Sequence, residues 1–143
     1  MNFRRVAFSI AIAFCLAAGV VHACSCKGPP SAKESLSAAA AVFVGKVVKT
    51  ERDVHFGVRV TFEITTVWKG VKERTVDINT GFGGGDCGYP VKVGDKYLVY
   101  AFGSRSDDGK LGPLATTICS RTCPVDRAKA DIKALGPTKM PPV

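Results

Sequence analysis

The residues best suited to chemistry stand together just after an apolar leader, as Cys24-Ser25-Cys26. Arg4 and Arg5 precede a predominantly apolar run from Val6 to Val21, and Val21-His22-Ala23 offers modest side chains for cleavage. This pattern predicts a secretory signal peptide over residues 1–23. Cleavage would make Cys24 the first residue of the mature chain, with a free α-amine. An amine and the carbonyl of the same residue, held side by side, form a bidentate ligand for a metal ion.

The cysteine count predicts a disulfide frame. The sequence has six cysteines, and Cys15 is lost with the predicted signal. Export takes the chain to an oxidising compartment, secreted or periplasmic, where disulfides form and persist. Five cysteines remain, so one thiol stays unpaired or joins another chain, and two bridges among five allow fifteen connectivities that spacing does not distinguish. The five are Cys24, Cys26, Cys87, Cys119 and Cys123.

Other chemistries fit the sequence less well. His55 is the one histidine left after cleavage, so no nucleophile–base pair is suggested and the chain is predicted not to be an enzyme. Cys119 and Cys123 are one residue too far apart for a Cys-x-x-Cys redox motif. The net charge is +8, or +6 without the signal, and the aromatic residues fall in apolar runs. We therefore interpret the aromatics as core and predict no nucleic-acid partner, and no transmembrane segment after cleavage.

The first half of the mature chain predicts one helix followed by two strands. Ser31 and Glu34 have capping-box spacing, which predicts a helix from Ser31 to about Ala40. Val42–Val48 resembles a strand buried on both faces, and Glu51–Gly57 indicates a polar turn. Apolar and polar residues then alternate from Val58 to Thr65, and the same phase places Trp68 with the inward residues.

The second half predicts three more strands and a closing helix. The strands are 75–80, 97–102 and 114–119, with a glycine-rich loop at 81–85 and a hairpin signal at Asp108-Gly109. Pro124 suits the first turn of a helix whose apolar face comprises Val125, Ala128, Ile132 and Leu135. The pattern predicts an all-β fold with peripheral helices, as a five-stranded OB-type barrel over residues 24–136 with a flexible tail at 137–143; a sandwich is the alternative.

Several of these pieces resemble one family in order and spacing. Cys24-Ser25-Cys26, Val67-Trp68-Lys69-Gly70, Cys87-Gly88-Tyr89, Asp108-Gly109-Lys110 and Thr116-Thr117-Ile118-Cys119-Ser120 are similar to motifs of the tissue inhibitors of metalloproteinases. The resemblance covers the N-terminal, netrin-like domain of that family and no second domain. It implies a netrin-like OB barrel in which Cys24 bonds Cys87 and Cys26 bonds Cys119.

The resemblance also implies a function. The free Cys24 amine and carbonyl would chelate the catalytic zinc of a target metalloendopeptidase, and Ser25 would point into the pocket beside that zinc. Cys26 would complete this inhibitory segment, and Gly85-Asp86-Cys87 would form a second contact strip. The chain would hold no cofactor of its own, because the protease supplies the zinc. The alternative is a secreted or envelope-attached, non-enzymatic binding module on the same barrel, for which a lipid on Cys24 is one means of attachment.

Overall fold

The computed structural model describes residues 24–54, 57–103 and 112–138. The predicted signal peptide, the Asp108-Gly109 hairpin signal and all but the first two residues of the predicted tail lie outside these ranges. In chain order, the elements are α1 (Ala32–Ala38), β1 (Ala41–Asp53), β2 (Gly57–Lys69), β3 (Thr75–Thr80), a 3₁₀ turn (Gly84–Asp86), β4 (Lys96–Ala101), β5 (Leu114–Ala115), β6 (Cys123–Pro124), a second 3₁₀ turn (Val125–Arg127) and α2 (Lys129–Leu135).

Helix α1 begins where the capping box predicts. The Ser31 hydroxyl accepts from the Glu34 backbone N–H at 3.3 Å, and the Glu34 carboxylate accepts from the Ser31 backbone N–H at 2.9 Å. Two of the helix's unpaired N-terminal donors are satisfied in this way. The helix ends at Ala38 because Ala39 adopts an extended conformation that leads into β1.

The sheet is mostly antiparallel and curls into a half-barrel, with strand order β5-β3-β2-β1-β4-β6. The predicted count of five strands is wrong, since Cys123–Pro124 adds a sixth along β4, with Leu98 opposite Cys123. The sequence predicts Pro124 in the first turn of a helix. A proline lacks the N–H that a central strand needs, so its place on an edge strand is physically reasonable.

Two other predicted boundaries are corrected by the backbone pairing. The polar turn predicted over Glu51–Gly57 is mostly strand, because β1 pairs with β2 as far as Asp53 opposite Gly57. The strand predicted over 114–119 stops after Ala115. There the chain turns, with the Ser120 N–H bonded to the Thr117 carbonyl, and the Thr116 hydroxyl lies 2.8 Å from those of Ser120 and Thr122.

The first part of β1, residues 41–45, is buried on both faces, as its apolar run predicts, whereas Val48 at the end of that run is 42% exposed. Phe43 and Val47 belong to the main core cluster inside the curl, whereas Val42 and Val44 belong to a second cluster under α2. Trp68 is buried but lies in the second cluster, not in the phase of Val60, Phe62 and Ile64. The register of β2 against β1 shifts at Thr65, where one extra residue reverses the side-chain alternation, so Val67 and not Trp68 faces the main cluster.

Helix α2 covers the second cluster with the predicted apolar face. Ala128, Ile132 and Leu135 pack there, and the Trp68 indole N–H donates to the Gly136 carbonyl at 2.9 Å. No helix among the described ranges is both long and apolar enough to span a membrane.

Candidate functional site

The N-terminal segment, residues 24–30, has no regular secondary structure and is attached by two disulfides to two loops that follow strands of the sheet. Cys24 is bonded to Cys87 and Cys26 to Cys119, which is the pairing that the family resemblance implies. Cys24 is half-buried, whereas Ser25 and Cys26 are exposed. A seven-residue segment is thus anchored at both of its cysteines while its surface remains accessible.

The two loops that receive these disulfides are themselves joined. The Ile118 backbone N–H donates to the Cys87 carbonyl at 3.0 Å, and Gly88 forms a β-bridge with Thr117. Cys119 follows Ile118 directly. The glycine loop (residues 81–88) and the 116–120 turn therefore form one connected support, which we call the disulfide platform.

Asp86 organises the glycine loop from within. Its carboxylate accepts backbone N–H groups from Phe82 at 2.6 Å, Gly83 at 2.9 Å and Gly88 at 3.1 Å. Hydrogen bonds of this kind favour the ionised form, so the Phe82 bond, followed by that of Gly88, lowers the pKa of Asp86. Cys87 follows in a left-handed conformation, at φ 59°, which turns the chain toward the N-terminal segment.

Two glycines of this loop are required by close approach. A Cβ on Gly81 would lie about 2.6 Å from the Asp86 carboxylate oxygens, and a Cβ on Gly88 would clash with the backbone of Gly81 and Gly83. The loop can fold around one carboxylate because these positions carry no side chain.

A cavity of about 530 Å³ opens beside the glycine loop, toward the outer part of the β1–β2 hairpin. Phe82 and Ile118 line it and remain 46% and 44% exposed, so two large apolar side chains lie side by side on an accessible surface. Arg52 reaches over the Phe82 ring, with the guanidinium carbon 5.4 Å from the ring centroid. This surface is apolar with one cationic group.

The predicted site residues are brought together in part. Cys24, Cys26 and Cys87 meet at the platform with Ser25 between the two bridges. Gly85 and Asp86 are exposed next to Cys87, but the Asp86 carboxylate faces its own loop. Asp86 therefore shapes the predicted contact strip and does not offer a free carboxylate.

Sequence reasoning did not find Phe82, Ile118 or Arg121 as parts of the site. For Phe82, the available signal was a large apolar side chain within the glycine-rich loop at 81–85, whereas Ile118 fell within the predicted strand 114–119 and carried no such signal. No sequence signal identified Arg121, because its hydrogen-bond partners Pro30 and Asp131 are distant in sequence.

Cys123 is the cysteine without a disulfide in the part of the chain that the structure describes. Burial is the main cause that raises the pKa of its thiol, with the Asp131 carboxylate adding to it. A raised pKa lowers the thiolate fraction, so this thiol is a poor nucleophile at neutral pH. Within the described ranges, no group of three or more His, Cys, Asp or Glu side chains is placed to hold a metal ion.

The chain matches no protein-family model and no curated protein.

Proposed function

We propose that the chain is a secreted or periplasmic inhibitor of zinc metalloendopeptidases, and not itself an enzyme, that acts through its mature N-terminus. The observation that carries the proposal is the double attachment of the N-terminal segment. Its two disulfides end at Cys87 and Cys119, on loops joined by the 3.0 Å hydrogen bond between Ile118 and Cys87. A terminus held in this way loses little conformational entropy when it binds a partner.

The chemistry of the terminus suits a catalytic zinc ion. Such a zinc has three protein ligands and an open position for water or substrate. The Cys24 amine and carbonyl would occupy that position together and displace the water, with Ser25 directed into the neighbouring pocket. The amine binds metal only when unprotonated, and a free α-amine has a pKa of about 7.7–8.0. Inhibition should therefore weaken as the pH falls below this range.

The proposal includes a netrin-like barrel of the OB type, in which β5 closes against β4. Its support is a pair of backbone hydrogen bonds between Phe102 and Ala115, at 2.9 and 2.8 Å, that join the end of β4 to β5. These strands lie far apart in the order of the sheet. Closure of this kind would hold the platform on a stiff support.

The decisive test changes only the terminus. Mature protein that begins at Cys24 is compared with protein carrying one additional Ala before Cys24, and with a control carrying the additional Ala after Val143. We expect slow or undetectable cleavage of a peptide substrate by a zinc endopeptidase with the first and third proteins. The second should have lost the effect, because the Cys24 amine has become an amide. Equal inhibition by all three proteins would exclude the chelate mechanism.

A binding module is the second candidate, and the exposed Phe82 and Ile118 beside the 530 Å³ cavity favour it. Exposed apolar side chains next to a concave surface are typical of ligand or protein contacts. In an envelope-attached form, a lipid on the Cys24 sulfur and an acyl group on its nitrogen would remove the basic amine and would replace the Cys24–Cys87 disulfide. Mass spectrometry of the native N-terminus tests the envelope-attached form, since a lipidated and N-acylated Cys24 would exclude the inhibitor, which requires a free α-amine.

A further inference from the structure

Arg121 connects the N-terminal segment to the opposite end of the chain. Its Nη1 donates to the Pro30 carbonyl at 2.9 Å, where the N-terminal segment passes into α1. Arg121 comes two residues after Cys119, and Pro30 comes four residues after Cys26. The hydrogen bond therefore forms a second connection beside the Cys26–Cys119 disulfide, between the same two stretches of chain.

The other donors of the same guanidinium are fixed by helix α2. The Nε atom donates to Asp131 Oδ2 at 2.6 Å and Nη2 to Asp131 Oδ1 at 2.7 Å, which is a bidentate pair. The Asp131 side chain is 10% exposed and also accepts from the Tyr100 hydroxyl at 3.3 Å. The bonds to the Asp131 carboxylate raise the pKa of Arg121, so its charge is permanent.

The Arg121 side chain holds the Pro30 carbonyl in a fixed direction. A planar guanidinium whose one edge is held by a carboxylate must direct its remaining nitrogen along a fixed line. Here that nitrogen meets the carbonyl of Pro30, which follows a second proline, so the chain on that side is already restricted in φ. Rotation of the N-terminal segment about the two disulfides is thereby opposed at a third point.

We propose that Arg121 is a positioning residue for the inhibitory terminus and couples helix α2 to it. The role in inhibition rests on the proposed function, but the positioning itself can be measured without a protease. The two ideas can therefore fail separately. A lysine at 121 keeps the positive charge, yet one ammonium group cannot pair both Asp131 oxygens and also reach Pro30 with the same geometry.

The test measures ¹⁵N order parameters of Lys27 and Gly28 in the mature protein. We expect values near 0.85, typical of rigid backbone, in the wild type and below about 0.6 in Arg121→Lys. Tyr100→Phe is the matched control, because it removes a hydrogen bond to Asp131 and leaves both contacts of Arg121. The control should retain wild-type values even if its unfolding midpoint falls. If Arg121→Lys does not fold, Asp131→Asn replaces it and should lower the same two order parameters.

Inhibition kinetics supply the second measurement. For a protease that the wild type inhibits, we expect Arg121→Lys to dissociate about tenfold faster, the effect of one hydrogen bond from a charged donor, with the association rate little changed. The proposal would be overturned if Arg121→Lys, or Asp131→Asn in its place, kept wild-type order parameters at Lys27 and Gly28. It would also be overturned if Tyr100→Phe lowered these order parameters equally. A rate of dissociation from the protease that does not change in Arg121→Lys would overturn it as well. If the wild type does not inhibit but Arg121→Lys loosens Lys27 and Gly28, the positioning stands and the proposed function fails.

Discussion

Removal of the Cys26–Cys119 disulfide is the perturbation that best tests the double attachment of the N-terminal segment. We replace Cys26 and Cys119 with serine and keep Cys24, so the terminal amine and its own disulfide are unchanged. The background carries Cys123→Ala, because unfolding ends the burial of this unpaired thiol, which could then exchange with the remaining bridge. The reference protein is Cys123→Ala with both disulfides.

The expected loss in the free energy of unfolding follows from the length of the loop that the Cys26–Cys119 disulfide closes. Alone, it would close a loop of 93 positions. With Cys24 already bonded to Cys87, two positions separate Cys24 from Cys26 and 32 separate Cys87 from Cys119, so the loop that remains to be closed is about 34 residues. The chain-entropy relation gives a stabilisation of the folded state of about 3.8 kcal/mol for a disulfide that closes 34 residues, against about 4.7 kcal/mol for one that closes 93.

The expected loss in the free energy of unfolding is therefore about 3.8 kcal/mol. Urea unfolding at neutral pH, followed by far-UV circular dichroism, measures it as a lower midpoint. The slope with urea should rise slightly, because the unfolded chain with one bridge is less compact. Removal of both bridges should cost about 8 kcal/mol, which is within the whole stability of an ordinary small protein, so that variant should be largely unfolded.

A loss below about 1 kcal/mol would refute the reasoning, since the bridge would then add little constraint to the unfolded chain. It would also mean that the N-terminal segment is held by its other contacts. A loss near the expected value, together with weaker inhibition by the folded variant, would link the stiffness of the segment to its function.

Two further predictions concern the glycine loop. Gly88→Ala should lower the free energy of unfolding by about 1–3 kcal/mol, because its Cβ would meet the backbone of Gly81 and Gly83, whereas a Cβ on Gly28 meets nothing within 4 Å and Gly28→Ala should be nearly neutral. An unaffected Gly88→Ala midpoint in urea would contradict the packing of the loop. Asp86→Asn should destabilise the loop at pH 7, where the carboxylate accepts three N–H groups. The folded pKa of Asp86 is lowered, so its contribution is complete above the unfolded value of 3.8 and is lost as the pH falls through the folded value. The difference between wild type and Asp86→Asn should thus vanish in strong acid, and a difference that grows on acidification would contradict this assignment.

Local signals in the sequence were sufficient to predict the position or the buried face of several elements. Ser31 and Glu34 located the start of α1, because a capping box is complete within four residues. The alternation from Val58 to Ile64 placed Val60, Phe62 and Ile64 in the main cluster. The face of α2 that packs on the second cluster was also correct. In each case the information lies within one turn or one strand.

Features that depend on distant partners were missed or misplaced. Trp68 lies on the other face because one extra residue at Thr65 in the pairing with β1 reverses the alternation, which places Val67 and not Trp68 in the main cluster. Cys123–Pro124 became an edge strand because the neighbouring β4 was available for pairing. Neither outcome is visible in the residues themselves, since both depend on which strand lies alongside.

By itself, the sequence determined a β-rich chain with a capped first helix, five cysteines after a predicted signal, and a cysteine at the predicted mature terminus. Its spacing left fifteen disulfide connectivities open, and only the resemblance to a family favoured one of them. Tertiary structure decided which loops meet Cys24 and Cys26, that Asp86 folds the glycine loop around itself, and that Arg121 links Pro30 to Asp131. The physical reason is that propensity and capping act over a few residues, whereas these contacts join groups brought together only when the sheet curls.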